Sequence, residues 1–122
     1  GSHVFEHVRN LVPLVEEFHR ILKPGGYLIA ITPHMASDDA WASPHHVRAF
    51  NEDSWTYFDQ RLYTEDRQHA GFGAQQLYHA DFGVVELALV PYAEFLHDPE
   101  LEHKKRHWRN IIREVHAVLR KK

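Results

Sequence analysis

Along residues 11–22 the apolar side chains Leu11, Leu14, Val15, Phe18, Ile21 and Leu22 recur every three or four positions, while Glu16, Glu17, His19, Arg20 and Lys23 occupy the other face. That period predicts an amphipathic helix. Asn10 is its expected N-cap, and Pro13 falls in the first turn, where proline is tolerated. Pro24-Gly25-Gly26 stops it. Tyr27–Thr32 follows at once and is apolar at both alternating sets of positions, as in a strand covered on both faces of a parallel sheet. Residues 34–50 have no period and predict a long loop, a length that favours a functional loop or lid. Asn51 caps a short expected helix whose buried stripe is Trp55, Phe58 and Leu62, and residues 63–73 read as loop. Ala74–Ala80 and Val84–Pro91 read as two strands around Asp81-Phe82-Gly83, close enough to pair as an antiparallel hairpin. In the second, Val85, Leu87 and Leu89 alternate with Val84, Glu86 and Ala88. Asp98-Pro99 opens a last expected helix, with Leu101, Trp108, Ile111, Ile112, Val115 and Val118 or Leu119 on its apolar face.

The resulting order is helix, interior-type strand, loop, helix, hairpin, helix. An interior-type strand beside a lone hairpin asks for a wider sheet than these elements provide, so a missing piece before residue 1 is expected. At 122 residues the chain fits one domain, 1–122, of α/β class. There is no cysteine, which excludes disulfides and thiolate metal sites. The longest apolar run, Tyr27–Ile31, is far short of the roughly 20 residues a membrane helix requires. With no secretory pattern either, a cytoplasmic protein without a membrane partner is expected. Gly1-Ser2, with or without His3, reads as the remnant of a cleaved expression tag.

The net charge of −3 is unevenly spread: residues 98–122 carry eight Lys/Arg against four Asp/Glu. On a helix these cations would lie on the solvent face and in the last turn, where they complement the helix dipole. A nucleic-acid interface would need Lys104, Lys105, Arg109 and Arg113 on one exposed face with interleaved aromatics. Only Trp108 is available, and nucleic acid is not expected.

Three segments carry a family resemblance. Val4-Phe-Glu-His-Val8, followed by a helix ending Phe18-His-Arg-Ile-Leu-Lys-Pro-Gly-Gly-Tyr-Leu-Ile29, is similar to a stretch of class I S-adenosylmethionine-dependent methyltransferases. That stretch runs loosely "hhEHh … E-hhRhLKPGG-hhhh", with h apolar. Thr32-Pro33-His34 and Ser43-Pro44-His45-His46-Val47-Arg48-Ala49-Phe50 resemble the following strand end and a "P-x-H-hR-h-h" loop. The likeness is strong over residues 3–58 and beyond that rests on strand order. It implies a partial Rossmann-like sheet from the C-terminal half of such a domain. The family order is 3-2-1-4-5-7-6 with strand 7 antiparallel; Tyr27–Thr32 would be strand 5 and the hairpin 74–91 strands 6 and 7, with flanking helices.

The resemblance also implies a methyl donor, S-adenosylmethionine, and an acceptor that the sequence does not name. His3, Val4 and Phe5 would line the cofactor pocket, with a scaffold role as the alternative. Glu6 and His7 match the family pair and read first as scaffold. His34, Trp41, His45, His46 and Arg48 would face the acceptor, with His34 and His46 the candidate bases near neutral pH; a polar surface loop is the competing reading.

The family's Gly-rich cofactor loop is missing. Gly25-Gly26 follows a helix, and Gly71 and Gly73 lie in a loop before a strand. Weak or no cofactor binding and no activity alone are therefore expected. No metal is expected: His34, His45 and His46 lack a carboxylate at a recognised spacing, and His103 with His107 lacks an H-E-x-x-H context. No serine sits in a G-x-S-x-G elbow. The alternative to an enzyme fragment is a binding or oligomerisation module, with a homo-oligomer formed through the exposed sheet edge of Tyr27–Thr32.

Overall fold

The computed structural model describes residues 1–62 and 79–122. Helix α1 (Leu11–Ile21) forms where the apolar period places it, and its first residue follows Asn10. Asn10 makes no side-chain capping bond. At the other end Gly25 has φ +80°, a left-handed conformation that a side chain strains. Its N–H donates to the Lys121 carbonyl, while the Gly26 N–H donates to Lys23 O and closes the reversal. The Lys121 ammonium donates to the carbonyls of His19 and Leu22, which the end of α1 would otherwise leave unsatisfied.

The sheet has three strands, β1 (Tyr27–Pro33), β2 (Phe82–Pro91) and β3 (Ile112–Lys121), in the order β1-β3-β2. β3 is antiparallel to both neighbours, so the outer strands run parallel to each other. The N-terminal residues lie along the free edge of β1: Ser2 bridges Ile31 in parallel sense, and His3 N–H donates to Ile31 O at 2.9 Å. That edge, expected to be open for pairing, is thus partly occupied by the chain itself.

Two sequence expectations are corrected here. The expected last helix ends at His107 (α3, Leu101–His107), and its C-terminal portion is the central strand of the sheet. The residues Ile112, Val115, Val118 and Leu119 satisfy a helical period, yet Val115, Ala117 and Leu119 also alternate, and burial of that alternating set prevails. Asn110, at φ +58°, makes the break between helix and strand; asparagine tolerates this conformation better than most residues. The expected hairpin is corrected too, because the antiparallel partner of β2 is β3. Residues 74–78 of its expected first strand, and the expected loop 63–73, lie outside the described residues, while His79 and Ala80 are not in a strand.

The core lies on one face of the sheet. Phe5, Val15, Leu28, Ala30, Phe50, Trp55 and Phe58 join the inward residues of β3, with α1 and the 3-10 turn Ser54–Phe58 above them. The other face carries Tyr27, Ile29 and Val85, each more than half exposed at 54–57%. Among the described residues β1 is therefore covered on one face, where its composition predicts two. A register shift between Val84 and Glu86 turns Val84 onto the core beside Leu87 and Leu89 and leaves Val85 outside, against the simple alternation.

Candidate functional site

The candidate residues gather beyond the end of β1, where its chain leaves the sheet. The 3-10 turn Phe5–His7 sits beside this end. The following loop is held at two points. Met35 N–H donates to Phe50 O, and Val47 N–H donates to Glu6 O at 2.8 Å. These backbone bonds bring residues 45–48 against the turn that carries Glu6 and His7. A four-residue helix, α2 (Asp39–Ala42), lies between the anchors.

Among the residues expected at the cofactor, His3 and Val4 are about half exposed, whereas Phe5 is a core side chain packed edge-on against Phe18 and Trp55. His3 has φ +53°, an uncommon backbone for a non-glycine residue. Its Nε2 lies 3.1 Å from Glu114 Oε1, and the other oxygen of Glu114 lies 2.7 Å from His116 Nε2. Burial pushes the Glu114 carboxyl up, but the hydrogen bonds from His116 and His3 hold it below its ordinary value. Sequence reasoning missed Glu114 and His116 because it assigned both to a helix.

The two candidate bases differ in what their nitrogens do. His34 is buried; the Ala36 N–H donates to its Nδ1 at 3.1 Å, which places the proton on Nε2, 3.4 Å from Glu52 Oε2. Both ring nitrogens are engaged. His46 has Nδ1 3.0 Å from the Ala40 carbonyl, which can only accept. The proton is therefore on Nδ1, and Nε2 keeps a free lone pair. The His46 ring stands edge-on to His7, with centroids 4.6 Å apart.

Trp41 is exposed, and its indole N–H donates to Met35 O. His45 is exposed, and Arg48 donates to Arg9 O at 2.6 Å. A cleft of about 490 Å³ opens beside His34, lined also by Met35, Glu52, Arg106 and Trp108. Trp41, His45, His46 and Arg48 do not line it. The cations considered for nucleic acid are paired instead: Lys104 with Asp98 at 2.6 Å, Lys105 with Glu102 at 2.7 Å, Arg109 with Asp38 at 2.9 Å, and Arg113 with Asp39 at 3.9 Å. No helix among the described residues is long and apolar enough to cross a membrane.

Residues 2–30, which hold the Glu-His turn, α1, the diglycine reversal and the first half of β1, match the family described as a methyltransferase domain. The match supports, for this N-terminal stretch alone, the likeness to class I S-adenosylmethionine-dependent methyltransferases read from the sequence. It supports a methyltransferase-related function, and that family generally uses S-adenosylmethionine. No curated protein matches the chain.

Proposed function

We propose that the chain is the C-terminal part of a class I methyltransferase domain and supplies the acceptor side of a site that transfers a methyl group from S-adenosylmethionine. Strand order is the observation that carries this reading. Two parallel outer strands flank a reversed middle strand, β1-β3-β2. The C-terminal end of the family sheet, 5-7-6 with strand 7 reversed, has the same pattern. β1, β2 and β3 then take the places of strands 5, 6 and 7. The parallel bridge of Ser2 to Ile31 supports the assignment, since it puts the first residues where strand 4 would end. So does the sheet face of Tyr27, Ile29 and Val85, which no described residue covers, because a doubly wound sheet carries helices on both faces.

The cofactor, when bound, supplies an electrophilic methyl on sulfur, and the protein's task is to orient the acceptor and accept its proton where needed. His3 and Val4 would meet the donor from this side. With no ion bound, His46 with its free Nε2 suits a base better than His34 does. The polar cleft beside His34 and Trp108 would hold the acceptor. These residues fit one side of the cofactor only, because no Gly-rich turn follows a strand among the described residues, and we expect weak binding and no turnover from this chain alone.

The reading is tested by titrating S-adenosylmethionine into isotopically labelled protein and following amide shifts. Millimolar cofactor should perturb His3, Val4 and the Thr32–Met35 segment. Saturation in the micromolar range, or shifts confined to β2 and α3, would contradict it.

A second reading, a module that self-associates without catalysis, is favoured by the exposed Tyr27, Ile29 and Val85 on one sheet face. Light scattering at increasing concentration separates the two. A constant monomer mass removes the second reading, and a dimer that Ile29→Lys dissociates supports it.

A further inference from the structure

We infer that Glu6, His7 and His46 form a binding site for one divalent transition-metal ion. Each offers one ligand atom, and the three atoms lie within 4.8 Å of one another. The inference does not rest on methyl transfer; it follows from what surrounds the Glu6 carboxylate.

Glu6 is 1% exposed. Its Oε2 is buried with no hydrogen-bond partner among the described residues. Its Oε1 lies 3.6 Å from His3 Nδ1 and 3.9 Å from His7 Nε2, beyond the range of a hydrogen bond. A buried carboxylate without donors is costly unless a cation compensates it. No Lys or Arg is paired with it among the described residues. A metal ion at this point would supply the missing positive charge.

The histidines are prepared for the same role. The Ala40 carbonyl fixes the proton of His46 on Nδ1 and so leaves Nε2 as a ligand. A metal-bound histidine commonly has its other ring nitrogen held by a carbonyl in this way. The bond from Val47 N–H to Glu6 O holds the His46 segment against the turn, so the donors meet although the sequence separates them. His7 is exposed, and its ring is free to adjust. Tetrahedral coordination with metal–ligand bonds of about 2.0–2.1 Å would bring the donors to about 3.4 Å apart, a modest closure of the present cluster.

Two imidazoles and one carboxylate suit zinc, cobalt or ferrous iron, with a coordination position left for water or another ligand. Calcium and magnesium prefer sites made wholly of oxygen. His103 and His107 on α3, with ring centroids 4.6 Å apart, offer a competing two-histidine site and serve as an internal control.

The test is a titration of the whole chain with Co²⁺, read by its visible ligand-field absorption, followed by competition with Zn²⁺. One ion per chain is expected, displaced by zinc. His46→Ala and His7→Ala should each weaken binding at least tenfold, while His103→Ala combined with His107→Ala leaves it unchanged. Near-ultraviolet circular dichroism confirms that each variant is folded, and His46→Gln, which keeps a side-chain polar group, should also lose affinity. No one-to-one binding, binding insensitive to His46→Ala in folded protein, or binding lost with the α3 pair would each overturn the inference.

Discussion

Lys122 and Asp59 form an ion pair at 3.0 Å in which the carboxylate is 1% exposed and the ammonium reaches it from the surface. The same ammonium lies 2.9 Å from Asp81, so one cation ties the segment after the Ser54–Phe58 turn to the entry of β2 and the end of β3. Burial pushes the Asp59 carboxyl up, but Lys122 and the Val84 N–H hold it below the ordinary value. A depressed carboxyl contributes stability that is fully present above the unfolded carboxylate range, about pH 4, and that disappears as pH falls through the folded value. Asp59→Asn is expected to destabilise the chain by about 2 kcal/mol at neutral pH. The gap in melting temperature between variant and parent should close as pH drops below about 4. A gap that is constant with pH would show that the pair contributes nothing.

Lys121 acts on the helix that precedes β1. Its ammonium meets two carbonyls at the end of α1, where the dipole favours a cation. Lys121→Met keeps the stem and removes the charge, and should cost about 1–2 kcal/mol in urea unfolding.

Gly25→Ala probes the reversal after α1. At φ +80° an added side chain strains the backbone, and the new Cβ would lie 3.4 Å from an Arg120 nitrogen at the far end of a flexible side chain. Backbone strain therefore dominates, and a loss of about 1–2 kcal/mol is expected, read from the thermal midpoint.

The strand assignment of 112–121 has its own test. A helix through residue 119 would bury both Trp108 and Leu119, but Trp108 is 55% exposed and Leu119 fully buried. Leu119→Ala should cost about 3 kcal/mol. Trp108→Ala, which removes a surface side chain near Lys104, should change stability by less than about 1 kcal/mol. Equal losses would restore the helix.

How far the sequence could be read depended on how many alternatives each segment allowed. α1, its diglycine stop and β1 were legible because a clean period, a helix breaker and an apolar run agree over residues 11–32. The last segment was not, since Ile111, Ile112, Val115, Val118 and Leu119 fit a period of 3.6 while Val115, Ala117 and Leu119 fit a period of 2. The turn at Asn110 was the overlooked signal. The sheet face occupied by Val85 depended on a bulge, and neither Val85 nor its neighbours announces one. His46 was legible as a candidate from its loop motif, but its meeting with His7 and Glu6 depends on the Val47 anchor, a tertiary contact invisible in local patterns.

β3 stands last in sequence among the three strands and yet between the other two in space. Ribosomal synthesis thus delivers both outer strands before the one that joins them, while the N-terminal residues already lie along the other edge of β1. Each outer strand must wait, with its inner edge bare, for a partner that leaves the exit tunnel later. Closure of this sheet consequently falls late in synthesis, once the last ten-residue strand is made.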